Sequence, residues 1–154
     1  MLLTLNQVAT QADGRYLSDQ EIKQLEVYIQ SYDVRLKTYQ LLSQNSASLI
    51  IASLKQLAKT HRQEVQAHSF KCKRDMEYAL KEIAKAVLMD ESELFKQSFA
   101  LWLENITRAV HKSDSAARAY AHLKAEISRA MSPECAALVV PYIDDLILSF
   151  TATT

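Results

Sequence analysis

Glycine is almost missing from this chain: one in 154 residues, with two prolines. Tight hairpin turns and phosphate-cradling loops need backbone at positive φ, which glycine supplies without steric cost. Strand-rich folds, P-loops and dinucleotide-binding folds therefore have little to build on. Cysteine is scarce too. Cys72 and Cys135 are too few for a disulfide framework. Net charge is also absent, since 18 basic side chains stand against 18 acidic ones. No overall field draws the chain to nucleic acid or to an anionic membrane. The N-terminal MLLTLNQVATQADGR lacks the basic start and sustained apolar run of a signal peptide. The most apolar stretch, AALVVPYIDDLIL (136–148), is too short for a membrane span and is interrupted by Asp144 and Asp145. The expectation is a cytoplasmic protein with no membrane insertion and no nucleic-acid partner.

What is present is helical patterning. Hydrophobic residues make up 49% of the chain, and a chain of this length folds as one domain that buries roughly two thirds of its unfolded surface. Ser18 and Glu21 form a capping-box pair, after which Ile22, Leu25, Ile29, Tyr32, Leu36 and Tyr39 recur at spacings of three and four. This predicts one long amphipathic helix, ended by the polar SQNSAS (43–48). Leu49, Ile50, Leu54 and Leu57 follow, and THRQEVQAHS (60–69) reads equally as loop or helix. The next stripe is Met76, Leu80, Ile83 and Val87, with Cys72 one turn upstream on the same face. Asp90 is placed to cap a further helix reaching about Val110, with Leu94, Phe95, Trp102 and Ile106 inward. Another helix is expected over about Ser115 to Ala130, and Ser132–Pro133 makes an N-cap and N1 pair for the last, in which Pro141 should bend the backbone.

The stretch KCKRDMEYALK (71–81) carries the chemistry. Cys72 has Lys71, Lys73 and Arg74 within two residues and Asp75 at i+3, so a thiol and a carboxylate share one helix face. Nearby cations favour the reactive thiolate. Taken alone, Cys72 reads as a buried structural thiol and the Arg74–Asp75 pair as a solvated helix face. Trp102 and the series Tyr28, Tyr32, Tyr39 follow helical spacing and read as core. His61 and His68 have no metal-site spacing.

Three patches together resemble the phycobiliproteins, the globin-like helical antenna proteins, with an allophycocyanin-like pattern: ADGRYLSDQEIKQL (12–25), CKRDMEYALK (72–81) and MSPECAALVVPYIDDL (131–146). The resemblance implies an all-α, globin-like phycobiliprotein fold with an N-terminal helical hairpin. It would be a single domain over 1–154, divided into a helical extension (1–17) and a globin-like core (18–154). It further implies an open-chain tetrapyrrole of the phycocyanobilin type, joined by a thioether to Cys72. Asp75 would accept from the central pyrrole nitrogens and Arg74 would pair with a ring propionate. Lys73 and Tyr78 would complete the bilin-binding set.

The protein would be a light-harvesting subunit and not an enzyme, passing excitation within a phycobilisome-type assembly at the cytoplasmic face of a thylakoid membrane. Its partners would be a second copy or another phycobiliprotein-like subunit, with room for phycobilisome linker proteins. Cys135 sits in a context similar to a second pigment cysteine, but its short distance to Tyr142 favours a plain helix cysteine. The chain also departs from the family. Its connection before the motif is short and lacks Gly and Pro, Ala79 follows Tyr78 where a second aromatic is usual, and Lys81 stands where Arg is usual. These departures keep two alternatives open: a bilin-binding accessory, sensing or pigment-handling protein outside the antenna, or a pigment-free assembly protein on the same fold.

Overall fold

The computed structural model describes residues 2–103, 105 and 113–151, and among these there is helix and no strand. Helix α1 is Leu2–Gln11, α2 Asp19–Gln30, α3 Tyr32–Leu57 and α4 Arg62–Met89. The short α5, Ser92–Leu94, runs into a π-helical turn at Phe95–Ala100; α6 is Ser113–Ala130 and α7 is Pro133–Thr151. Helix α3 lies along α4 and α6 along α7, and α3 joins the two pairs by packing on both α6 and α7. The core between them is made of fully buried Leu42, Ile50, Leu80, Ile83, Leu123 and Ile143.

The capping box is present. Glu21 N–H donates to Ser18 Oγ at 3.3 Å, and Ser18 N–H to Glu21 Oε2 at 2.7 Å. Arg15 adds a two-pronged contact to the same carboxylate, at 2.9 and 3.0 Å, tying the turn after α1 to the start of α2. These donors, Arg15 first and then the Ser18 backbone, pull the Glu21 carboxyl from 4.5 to about 2. A carboxyl lowered on folding adds stability above its unfolded value and loses it as pH falls through the folded one. Opening of this hairpin, read by amide exchange at Ser18 and Glu21, should therefore increase between about pH 4.5 and 2. Glu21→Gln should flatten that dependence.

Several sequence expectations are corrected. The long helix from Ile22 to Tyr39 is broken at Ser31, whose N–H bonds back to Val27 O at 3.1 Å. The break lets Arg35 turn inward, where it is 3% exposed. Its guanidinium donates to Ser31 Oγ at 3.0 Å, to Tyr28 O at 3.1 Å and to Leu88 O, and lies 4.4 Å from the centre of the Tyr28 ring. The two carbonyls lie near the C-terminal ends of α2 and α4, where helix dipoles favour a cation. Tyr28 and Tyr39 are half-buried and Tyr32 is exposed, so the tyrosine series does not enter the deep core.

SQNSAS does not end a helix. Within α3, Ser43, Asn45 and Ser48 each donate to a backbone carbonyl one turn earlier, at 2.9 Å, so their polar groups are satisfied without leaving the helix. THRQEVQAHS resolves into a turn through His61 and the first turns of α4. Asp90 does not cap the following helix. It ends α4 in the left-handed region, φ 55°, ψ 49°, a conformation that Asp adopts more readily than most residues.

Phe95 is buried, whereas Trp102 is 45% exposed, because the π-helical turn adds a residue to the helical repeat and shifts the face that follows it. The side chain of Leu94, Ile106 and the stretch toward Val110 lie outside the described residues. The N-cap at Ser132 holds: Ala136 N–H donates to Ser132 O at 2.9 Å and Cys135 N–H to its Oγ at 3.4 Å. Pro141 lies inside α7, which continues on both sides of it.

Candidate functional site

A cavity of about 310 Å³ opens between α4, α6 and the end of α7, with Leu57 and Leu103 also on its walls. Its volume is at the lower end of the ~300–1,000 Å³ range of small-molecule sites. Helix α4 supplies one wall through Glu64, Val65, His68, Cys72, Asp75 and Met76, positions three and four apart that share a face by helical geometry. Lys71 reaches the same wall and brings one cation beside Cys72. The opposite wall is Ser115, Ala116, Ala119 and Tyr120 of α6, with Phe150 of α7. Small side chains on α6 keep that helix from filling the space.

Cys72 and Asp75 are thus brought together on the cavity wall, both half-buried. The other three residues singled out in the motif are not part of that wall. Successive helical residues turn by about 100°, so Arg74 leaves α4 roughly 200° from Cys72. Its side chain is 66% exposed, with Nε 3.8 Å from Asp75 Oδ1 at the outer side. Lys73 is half-buried off the cavity. Tyr78 lies further along α4 and packs edge-on against Phe99 at 5.1 Å and Trp102 at 5.9 Å. That aromatic group follows from the π-helical turn and joins Tyr142 through Phe95, 5.1 Å away and perpendicular.

Tyr120 is the site residue that the sequence reading missed. It is 4% exposed, and its hydroxyl has no hydrogen-bond partner among the described residues. Burial first, then the facing Asp75 and Cys72, push its ionisation well above the ordinary value of 10, so the phenol keeps its proton. Glu64 Oε2 is likewise closed off from solvent without a partner. Both side chains line this one cavity. The only sequence signal for Tyr120 is its place in the run AARAYAHL, which marks a helix face and says nothing about what lies across from it. Among the described residues no cluster of His, Cys, Asp and Glu is arranged to hold a metal ion.

The model of the phycobilisome protein family matches residues 7–150. The chain belongs to the phycobilisome protein family. None of the curated proteins matches it. Membership settles the fold as the all-α, globin-like phycobiliprotein fold. Phycobiliproteins are pigment-carrying light-harvesting proteins; they generally hold linear tetrapyrroles covalently and assemble with other phycobiliprotein subunits. The residues around the cavity suit such a group in kind: a cysteine and a carboxylate three residues apart, a cation, apolar walls, and two shielded polar atoms without partners among the described residues. Among the described residues, no helix is long and apolar enough to cross a membrane.

Proposed function

We propose that the chain is a bilin-carrying phycobiliprotein subunit, with an open-chain tetrapyrrole joined to Cys72 for light harvesting and excitation transfer. The observation that carries this reading is the joint presence of Cys72 and Asp75 on the wall of one cavity in a member of this family. The tetrapyrrole supplies the absorbing π-system, and the protein's part is to attach it, hold it extended and keep it rigid. Cys72 Sγ would form the thioether by adding across an unsaturated side chain of the end ring. The thiol proton is the one taken up at the neighbouring carbon, so the addition needs no oxidant or reductant.

Asp75 would accept from pyrrole N–H groups. A carboxylate against a protonated pyrrole system makes a charge-assisted hydrogen bond, roughly twice as strong as a neutral one. Arg74 and Lys73, outside the cavity, suit propionates that project toward solvent, and Lys71 suits one nearer the wall. Tyr78 would act indirectly, by fixing α4 against Phe99 and Trp102. The partner would be a second copy or another phycobiliprotein-like subunit, met through the α1–α2 hairpin, with linker proteins beyond it at the cytoplasmic face of a thylakoid membrane.

A second reading, a bilin-handling protein outside the antenna, is favoured by a specific observation. Arg74, the fork-shaped partner for a propionate, faces away from the cavity. Production of the chain together with the enzymes that make phycocyanobilin tests attachment: the purified protein should be coloured, and its band on a denaturing gel should fluoresce with zinc. Asp75→Ala should keep the thioether but let the pigment fold, lowering visible absorption relative to the near-ultraviolet band severalfold. An unchanged spectrum would remove Asp75 from the site. Pigment-loaded protein that donates no excitation to a partner subunit would favour the handling role.

A further inference from the structure

Two buried polar atoms without partners are costly in a folded chain, because each has given up water for nothing in return. Tyr120 Oη and Glu64 Oε2 are the side-chain atoms in this position among the described residues, and both belong to the wall of the same cavity. Their chemistry differs. The Tyr120 hydroxyl is a donor in search of an oxygen or other acceptor, whereas an ionised Glu64 can only accept. Their places differ as well. Tyr120, on α6, lines the cavity wall opposite the one that carries Cys72 and Asp75 on α4. Glu64 is eight residues before Cys72 on α4, about 12 Å along the axis at 1.5 Å per residue. Asp75 is about 4.5 Å beyond Cys72 in the other direction. The polar wall of α4 is therefore about 16 Å long, and it suits an elongated ligand better than a compact one.

Resting on the bilin-carrier reading above, we infer that Tyr120 and Glu64 are ligand-anchoring residues. Tyr120 donates a hydrogen bond to a carbonyl or carboxylate oxygen of the pigment near its attachment to Cys72, and Glu64 accepts from an N–H about one cavity length away. A linear tetrapyrrole has both kinds of group at separated points, with lactam C=O and N–H on its end rings and propionates between. The short connection before the motif, folded as the first turns of α4, would thus itself form part of the pigment wall.

The test uses the pigment-loaded full chain and the pigment-free chain side by side, with Tyr120→Phe and Glu64→Leu. In the loaded protein each variant should keep the thioether. Tyr120→Phe should shift the visible maximum by several nanometres, and both should lower the fluorescence yield at least twofold, because an unanchored pigment loses more excitation to twisting. In the pigment-free chain, Tyr120→Phe should leave the melting temperature unchanged or raise it, since the hydroxyl that it removes has no partner among the described residues. Loaded variants with wild-type spectra and yields would overturn the anchoring role while leaving the pigment reading intact. A fall in the melting temperature of pigment-free Tyr120→Phe would also overturn it, by showing that the hydroxyl serves the protein itself. If the wild-type chain takes up no bilin, the carrier reading fails and this inference fails with it.

Discussion

Cys72→Ser should leave the protein colourless on a denaturing gel, with the zinc-induced fluorescence of the band lost entirely, while a substitution at Cys135 should leave it in place. A serine hydroxyl, with a pKa far above that of a thiol, gives no anion able to add to an unsaturated pigment side chain near neutral pH. The two cysteines differ in access as well as in sequence context. Cys72 is half-buried on a cavity wall beside Lys71, whereas Cys135 is 0% exposed among the residues of the core. A pigment could reach Cys135 only if α7 left its place against α6. Cys135→Ala is the better control, because Cys135→Ser would bury a hydroxyl in apolar surroundings at about 1–3 kcal/mol and blur the comparison. Pigment that follows Cys135, or a colourless wild type in the presence of abundant bilin, would overturn the assignment.

The Cys72–Asp75 pair was legible in the sequence because it is local. Two residues three apart on a helix share a face wherever that helix sits, so the apolar stripe that begins at Met76 already implied which way the thiol turns. Arg74 shows the limit of the same reasoning. Its neighbours in sequence suggest a shared task, yet helical rotation sends it to the solvent side of α4. The break at Ser31 was hidden because the periodicity of Ile22 to Tyr39 runs through it unchanged. What accompanies it is tertiary, a buried guanidinium held by carbonyls near the ends of two helices. Conversely, the serines and asparagine at 43–48 look like a loop by composition, but the flanking apolar positions pack on α4 and keep the helix intact. Beyond the helix face that AARAYAHL marks for Tyr120, neither it nor Glu64 carried a signal, since what distinguishes them is the lack of a partner among the described residues around a cavity built from three helices.

At micromolar concentration the isolated chain should sediment as a dimer, and the double substitution Ile22→Asp and Ile29→Asp should convert it to monomer. Helix α2 has no buried residue, although Ile22, Leu25, Val27, Tyr28 and Ile29 are apolar. It touches the rest of the chain lightly, through α3. Ile22 is 42% exposed and Ile29 69%, seven residues apart on one face of α2, and the nearby Tyr16 is 97% exposed. A helix of this composition owes its stability to packing an apolar face, and its own chain covers little of it. Phycobiliproteins assemble with other phycobiliprotein subunits, and the uncovered apolar face of α2 is where a second copy is expected.

Removing residues 1–16 would be a poorer test of this face, because Ile29 is already exposed in one chain. Such a deletion would act instead by taking away Arg15 and the buried Val8 and Ala12, and would loosen the hairpin itself. Burying one aliphatic side chain is worth about 1.5–3 kcal/mol, and two per protomer lie on this face. Placing carboxylates there should weaken the dimer by at least about 100-fold, at 1.4 kcal/mol per tenfold. Asp13→Ala should do less. Asp13 is exposed, and an exposed ion pair made by it would contribute about 0–1 kcal/mol. A wild-type chain that sediments as a clean monomer would mean that the α2 face is not used between copies. With pigment attached, that outcome would favour a handling role outside the antenna, because excitation passes only between pigments that an assembly holds at fixed separation.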